Sequence, residues 1–200
     1  MLFRSNDLAG VDGVPLTNTN NTALVVRLLE DNALPTTTVV TMDGGDGSGT
    51  GRVCELWLAG KNQTLAGLTN IARNLRNQRV VNADTSAAAT LTINNSADFT
   101  FSGNLGGSGG SLGSGNPGNN FSLVKSGSGT FTLSRGSGNL YTNGTTINGG
   151  TLLVKNTSGS GTGTGDVTVN SGGTLGGTGI ITGAVTNNSG GTLSPGASIG

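Results

Sequence analysis

The chain has 200 residues, 38 of them glycine, with ten basic and ten acidic side chains, one cysteine and no histidine. Zero net charge on scattered basic residues leaves no electrostatic footprint for nucleic acid. The lack of histidine removes Ser-His-Asp and Cys-His catalysis and histidine-based metal sites, and a lone Cys54 excludes an internal disulfide.

Residues 1–22 are polar and patternless and read as an irregular lead-in. MLFRSNDLAG has no apolar core of secretory-signal length, and no run approaches the ~18 apolar residues of a membrane helix. ALVVRLLEDNALP (Ala23 to Pro35) fits a short helix or a buried strand. Val25 and Val26 favour the strand, which Asp31-Asn32 and Pro35 end. TTTVVTM reads as a second strand, closed by DGGDGSGTG (Asp43 to Gly51). Asp43 and Asp46 in that turn are candidates for weak calcium binding. The EF-hand spacing is missing, however, because the twelfth position is Cys54, and an exposed turn is the simpler reading. RVCELWL places Cys54, Leu56 and Leu58 on one face and Val53, Glu55 and Trp57 on the other, so the first set should point inward.

GLTNIARNLRNQR (Gly67 to Arg79) alone has helical spacing, with Leu68, Ile71 and Leu75 on one side, and predicts a turn or two of helix. Strands resume at VVN and TLTI. GGSGGSLGSGNPGNN (Gly106 to Asn120) reads as a protruding flexible loop. Its G-x-S-x-G matches at Ser108 and Ser111 lack a base. Its G-x-G-x-x-G at Gly113, Gly115 and Gly118 is interrupted by Pro117, with no helix after it.

From Leu91 one phrase recurs. LTINNSADF, LVKSGSGTF, VTVNSGGTL and VTNNSGGTL align without a gap, and TTINGGTL is one residue shorter at the corner. Each alternates apolar and Thr/Asn residues, turns on small residues and closes on a large apolar one. That is a half-buried strand, a corner and a second strand. The closing residues Phe99, Phe131, Leu152, Leu175 and Leu193 are separated by 32, 21, 23 and 18 residues, too short for a strand-helix-strand crossover of ~30 residues with the long interval set aside as loop. The phrase predicts coils of about 18–23 residues stacked as a solenoid, with those five residues in one column. Asn94, Asn148, Asn170 and Asn188 should bond along one corner, and Gly149, Gly172 and Gly190 should supply positive φ there.

LVKSGSGTFTLSRGSGNLYTNGTTINGGTLLV (residues 123–154) resembles the autotransporter-associated β-strand repeat of bacterial passenger proteins. GDVTVNSGGTLGGTGIITGAVTNNSGGTLSPGASIG resembles the β-helical rungs that follow it, and LLEDNALP, LWLAGKNQTLAGL and TLTINNSADFTFSGNL resemble the part before it. Two residues are extra between Ser134 and Tyr141, and Asn143 stands where the motif has glycine. The resemblance implies an all-β fold, a right-handed parallel β-helix over residues 23–200, and a structural role as display stalk of a secreted or cell-surface protein that assists its own export through an outer-membrane translocator. It also implies that this chain is part of a longer exported one. Host or surface glycans and proteins are the expected partners of an adhesin reading.

A β-helical polysaccharide enzyme is the remaining alternative. It needs clustered carboxylates, and after Asp98 only Asp166 is acidic. Glu30, Asp31, Glu55 and Asp84 are the residues that would have to converge. The expectation is no enzyme, no catalytic, cofactor or metal site, and no cofactor.

Overall fold

The computed structural model describes residues 16–17, 24–43, 53–71, 78–107 and 118–196. In chain order its strands are β1 (Leu16–Thr17), β2 (Leu24–Arg27), β3 (Val39–Asp43), β4 (Cys54–Trp57), β5 (Gln63–Leu65), β6 (Gly67–Asn70), β7 (Gln78–Val81), β8 (Ala89–Asn94) and β9 (Phe99–Phe101). They continue with β10 (Asn104–Leu105), β11 (Phe121–Ser126), β12 (Thr130–Leu133), β13 (Thr145–Ile147), β14 (Gly150–Val154), β15 (Val167–Val169), β16 (Gly173–Gly177), β17 (Val185–Asn187) and β18 (Thr192–Pro195). All the ladders between these strands are parallel.

Each coil visits the same faces in turn. The first face is the sheet β17-β15-β13-β11-β8-β5, and the second is β18-β16-β14-β12-β9. The sheet β6-β3-β1 continues the second face. Thr69 Oγ1 donates to the Thr100 carbonyl at 3.0 Å, and the Ser102 N–H donates to Asn70 Oδ1 at 2.7 Å. The third face is β10-β7-β4-β2. Beyond Leu105 it has no strand among the described residues and goes on as bonded irregular backbone: Leu140 N–H to Leu105 O at 2.8 Å, Asn139 N–H to Ser160 O at 2.7 Å, and Gly161 N–H to Ile180 O at 2.8 Å. This is a parallel β-helix.

Side-chain alternation explains the inside of the rod. In β11, Phe121, Leu123 and Lys125 are buried while Ser122, Val124 and Ser126 face outward. β8, β13 and β15 repeat the pattern. The five closing residues stand in one column, since Phe99 pairs with Phe131, Phe131 with Leu152, Leu152 with Leu175, and Leu175 with Leu193. Phe131 and Leu152 are fully enclosed, whereas Leu193 on the last described coil is 48% exposed. Full burial of such a side chain contributes about 1.5–3 kcal/mol, so each coil gains stability from the neighbour that covers this column.

On the first face the register advances by 22 residues from Leu123 to Thr145 and again to Val167, then by 18 to Val185. Earlier coils are longer: 28 residues from Gln63 to Leu91 and 32 from Leu91 to Leu123. The ladders stay in register across these longer coils.

Several expectations need correction. The segment 67–79 begins and ends as strand, in β6 and β7, and its residues 72–77 lie outside the described residues. Leu68 is enclosed in the core and Gly67 lies under the Phe99 ring, so burial between rungs overrides the helical spacing. Cys54, Leu56 and Leu58 point inward as read, but Glu55 and Val53 on the opposite side are buried too. At the shortened corner the positive φ belongs to Gly150 (61°), not Gly149, while Gly172 and Gly190 each have the expected positive φ of 82°. The nominal lead-in contains β1, paired with Met42 and Asp43.

Candidate functional site

The stretch from Phe121 to Val154, one coil and the start of the next, buries Lys125, Thr132, Asn139 and Thr145 inside the rod. Lys125 holds the column position that Ile93 and Ile147 hold in the neighbouring rungs. Its side chain is enclosed, and Nζ donates to the carbonyls of Ser126 (2.6 Å), Gly127 (3.0 Å) and Gly149 (3.1 Å). The ammonium thereby ties the corner of its own coil to that of the next. Desolvation brings its pKa down to about 8, partly opposed by the Asp98 charge.

Tyr141 fills the third face of the same coil. Its ring stacks on Phe121 with centroids 5.4 Å apart, and its hydroxyl bonds to Thr145 Oγ1 at 2.6 Å. Burial pushes the phenol well above its ordinary pKa. The two extra residues before Tyr141 form a small turn, with the Gly138 N–H donating to the Arg135 carbonyl at 3.1 Å. The Arg135 guanidinium bonds to Asn104 and to the Gly138 carbonyl. Asn143 Nδ2 reaches Asn120 Oδ1 at 3.0 Å. Both departures from the repeat motif thus fall in corners.

The asparagine row forms from Asn148 to Asn188, while Asn94 stands one rung apart from it. Asn188 Nδ2 donates to Asn170 Oδ1, and Asn170 Nδ2 to Asn148 Oδ1, both at 2.7 Å. Ser126 occupies the intervening rung, with its Oγ 3.4 Å from Asn94 Oδ1.

The carboxylates do not gather. Asp31 accepts the Asn62 N–H at 2.8 Å, Asp98 the Thr130 N–H at 2.7 Å and Asp166 the Ala184 N–H at 3.0 Å, each a bond to backbone one coil away. Asp84 accepts the Ser86 and Ala87 N–H groups in its own corner, bonds that hold its pKa below the ordinary value. Glu30 lies exposed in the turn after β2. Glu55 forms a buried ion pair with Arg79 at 3.2 Å and accepts the Trp57 indole N–H at 2.8 Å. Among the described residues no three His, Cys, Asp or Glu side chains form a metal-holding group. Asp43 is buried at the end of β3, while Asp46, Ser108 and Ser111 lie outside the described residues. Cys54 is a buried thiol whose pKa burial raises to about 12, so it is not a nucleophile at neutral pH.

A second set of asparagines, buried inside the corners, was missed in the sequence. Asn82 accepts the Gly60 N–H and donates to Ala87 O and Asn120 O. Asn95 donates to Ala97 O and Thr130 O. Asn139 accepts the Leu105 N–H and donates to Gly161 O, and Asn156 donates to Ser158 O and Gly159 O and accepts the Ile180 N–H. For Asn82, Asn95 and Asn156 the available signal was an asparagine closely following an apolar strand and preceding a small-residue corner, whereas Asn139 follows its corner and precedes Leu140.

The site therefore resolves into rung-to-rung ties around one coil. Residues 123–154 match the family model of the passenger-associated-transport-repeat. The match opens inside β11, at Leu123, and closes on the last residue of β14, so the repeat contains Lys125, Tyr141 and Asn148. The matched repeat implies a passenger-associated role of the autotransporter kind for this stretch. No curated protein and no solved structure matches the chain. Among the described residues no helix is long and apolar enough to cross a membrane.

Proposed function

We propose that the chain is a structural segment of an exported bacterial passenger: a β-helical stalk that holds other elements away from the cell surface and helps draw its own chain through an outer-membrane translocator. The carrying observation is that the repeat's interior polar groups are spent on holding coil to coil, with Lys125 bonded across Gly127 and Gly149 and Tyr141 to Thr145. A solenoid whose coils contact only their neighbours gains stability one coil at a time. Folding that advances outside the membrane opposes return of the emerged chain. In this reading the chain catalyses nothing and binds no cofactor.

The test is export of the complete passenger carrying Phe131→Asp, which places a charge in the closed column, beside a variant lacking residues 145–166. That deletion removes one 22-residue step and leaves Val167 where Thr145 paired. The reading expects Phe131→Asp to lower surface-exposed passenger severalfold and the in-register deletion to leave it near the parent. Equal export of parent and Phe131→Asp overturns the export role. An adhesin reading rests on the exposed Thr/Asn rows, and glycan binding by the purified rod would favour it.

A further inference from the structure

Only two asparagines in the chain precede a glycine, Asn143 and Asn148, and both fall in the matched repeat. Both side chains are exposed, so water reaches them. Glycine has no side chain to keep its backbone nitrogen away from the preceding asparagine Cγ, so such a pair holds a nucleophile and an electrophile within reach of each other. The fold treats the two pairs differently.

Asn143 is held at both ends of its amide. Its Oδ1 accepts the Thr142 hydroxyl at 2.9 Å, and its Nδ2 donates to Asn120 Oδ1 at 3.0 Å. The Gly144 nitrogen is covered as well, because a Cβ on Gly165 of the next coil would overlap it. Asn148 is held at one end alone. Its Oδ1 accepts Asn170 Nδ2 at 2.7 Å, while its own Nδ2 and the Gly149 N–H donate to no group among the described residues. Gly149 has open surroundings, since a Cβ there meets nothing closer than the Gly127 carbonyl at 3.4 Å.

We propose that Asn148 is a self-modification site, which converts to aspartate and isoaspartate with water as the co-reactant. The Gly149 nitrogen gives its proton to solvent base, and its electron pair forms a bond to Asn148 Cγ. The Cγ–Nδ2 bond breaks, and the leaving nitrogen takes up a proton and departs as ammonia, which leaves a succinimide. Asn170 Nδ2 donates to the oxygen that carries the negative charge between these steps. Water then opens the ring. Addition at Cγ gives aspartate on an unchanged backbone, and addition at the Asn148 carbonyl carbon gives isoaspartate, whose main chain runs through the former side chain.

The change lands on a tie between coils. Residues 148–149 form the corner between β13 and β14, one residue shorter than the corners aligned with it. Lys125 Nζ donates to the Gly149 carbonyl at 3.1 Å. Isoaspartate adds a main-chain carbon between Ile147 and Gly149, which moves that carbonyl relative to Lys125 and loosens the tie. Aspartate keeps the backbone and still accepts from Asn170, and it puts a negative charge into a row that has none.

Mass spectrometry of the purified chain held folded at mildly alkaline pH, beside the same chain unfolded in urea, tests this. Trypsin cleavage after Arg135 and Lys155 releases both asparagines in one peptide, residues 136–155, and fragment masses place the gain of an amide-to-acid change. In the folded rod acid should form at Asn148 at least roughly tenfold faster than at Asn143, and in urea the two rates should converge. Gly149→Ala, shown folded by its thermal melt, should slow the gain at Asn148 roughly tenfold because its methyl hinders the attacking nitrogen. A folded rod that keeps its amide at Asn148 while the unfolded chain converts overturns the proposal. So does acid forming at Asn143 as fast as at Asn148, or a gain undiminished in Gly149→Ala. The isoaspartate fraction of the aged rod should melt below Asn148→Asp, and equal melting would overturn the loosening of the Lys125 tie.

Discussion

Lys125 shows how a single residue is tuned by its place in the stack. Its folded pKa of about 8 lies below the ordinary 10.5, so between those values the unfolded chain binds more protons than the folded one. Stability contributed by Lys125 therefore grows as pH rises from 8 to 10.5 and is lost as pH falls back through 8. Cys54 acts oppositely: its pKa is raised from 9.0 to about 12, so stability falls as pH climbs above 9. Denaturant midpoints of wild type minus Lys125→Met should rise across pH 8 to 10.5, and those of wild type minus Cys54→Ala should fall above pH 9. At neutral pH Lys125→Met leaves three corner carbonyls without their donor and should cost about 1–3 kcal/mol. Two adjacent glycines give a sharper contrast. Gly150 has φ 61°, and a Cβ there would lie 2.5 Å from the carbonyls of Gly127 and Gly129, whereas a Cβ on Gly149 meets nothing closer than 3.4 Å. Gly150→Ala should destabilise by more than the ~1–2 kcal/mol of the left-handed backbone alone, and Gly149→Ala by less than about 0.5 kcal/mol, both read from urea unfolding.

Strand pairs and corners obey different rules, which decides what a reader of the sequence can see. Phe131 is enclosed between Phe99 and Leu152, so Phe131→Ala should cost about 3–5 kcal/mol, while Leu193→Ala on the exposed last coil should cost under about 1 kcal/mol. Chemical denaturation of both variants checks the ratio. That column and the row from Asn148 to Asn188 were legible because strands keep a period of two and rungs a nearly constant length. The polar interior was not. Lys125 falls on the inward period of its strand beside Leu123, where a charge is not expected, and the neighbouring corner carbonyls make its burial tolerable. Asn82, Asn139 and Asn156 were hidden for the same reason, since their partners are backbone groups up to a coil away. At segment 67–79 local spacing pointed to helix because Leu68, Ile71 and Leu75 fit that period, but Leu68 is claimed by the core through β6.

At the scale of the rod, side-chain ties supplement the ladders from coil to coil. Asp31, Asp98 and Asp166 each accept a backbone N–H one coil on, so these three sparse acidic residues act as fasteners between coils. Removing residues 145–166 should yield a folded rod one coil shorter. Removing 145–155, half that length, should displace Asn156 and the following corner and leave the downstream coils unfolded by circular dichroism.

The third side changes character along the length. Up to Leu105 it is laddered like the other two, and from Asn139 onward it is joined by irregular bonds. Where the ladder gives way to irregular bonds, the shaft should have a compliant seam and flex most easily in the plane that contains it. Amide exchange should be faster at Leu140 and Gly161 than at Val124 and Thr132, marking the side toward which the shaft yields under load.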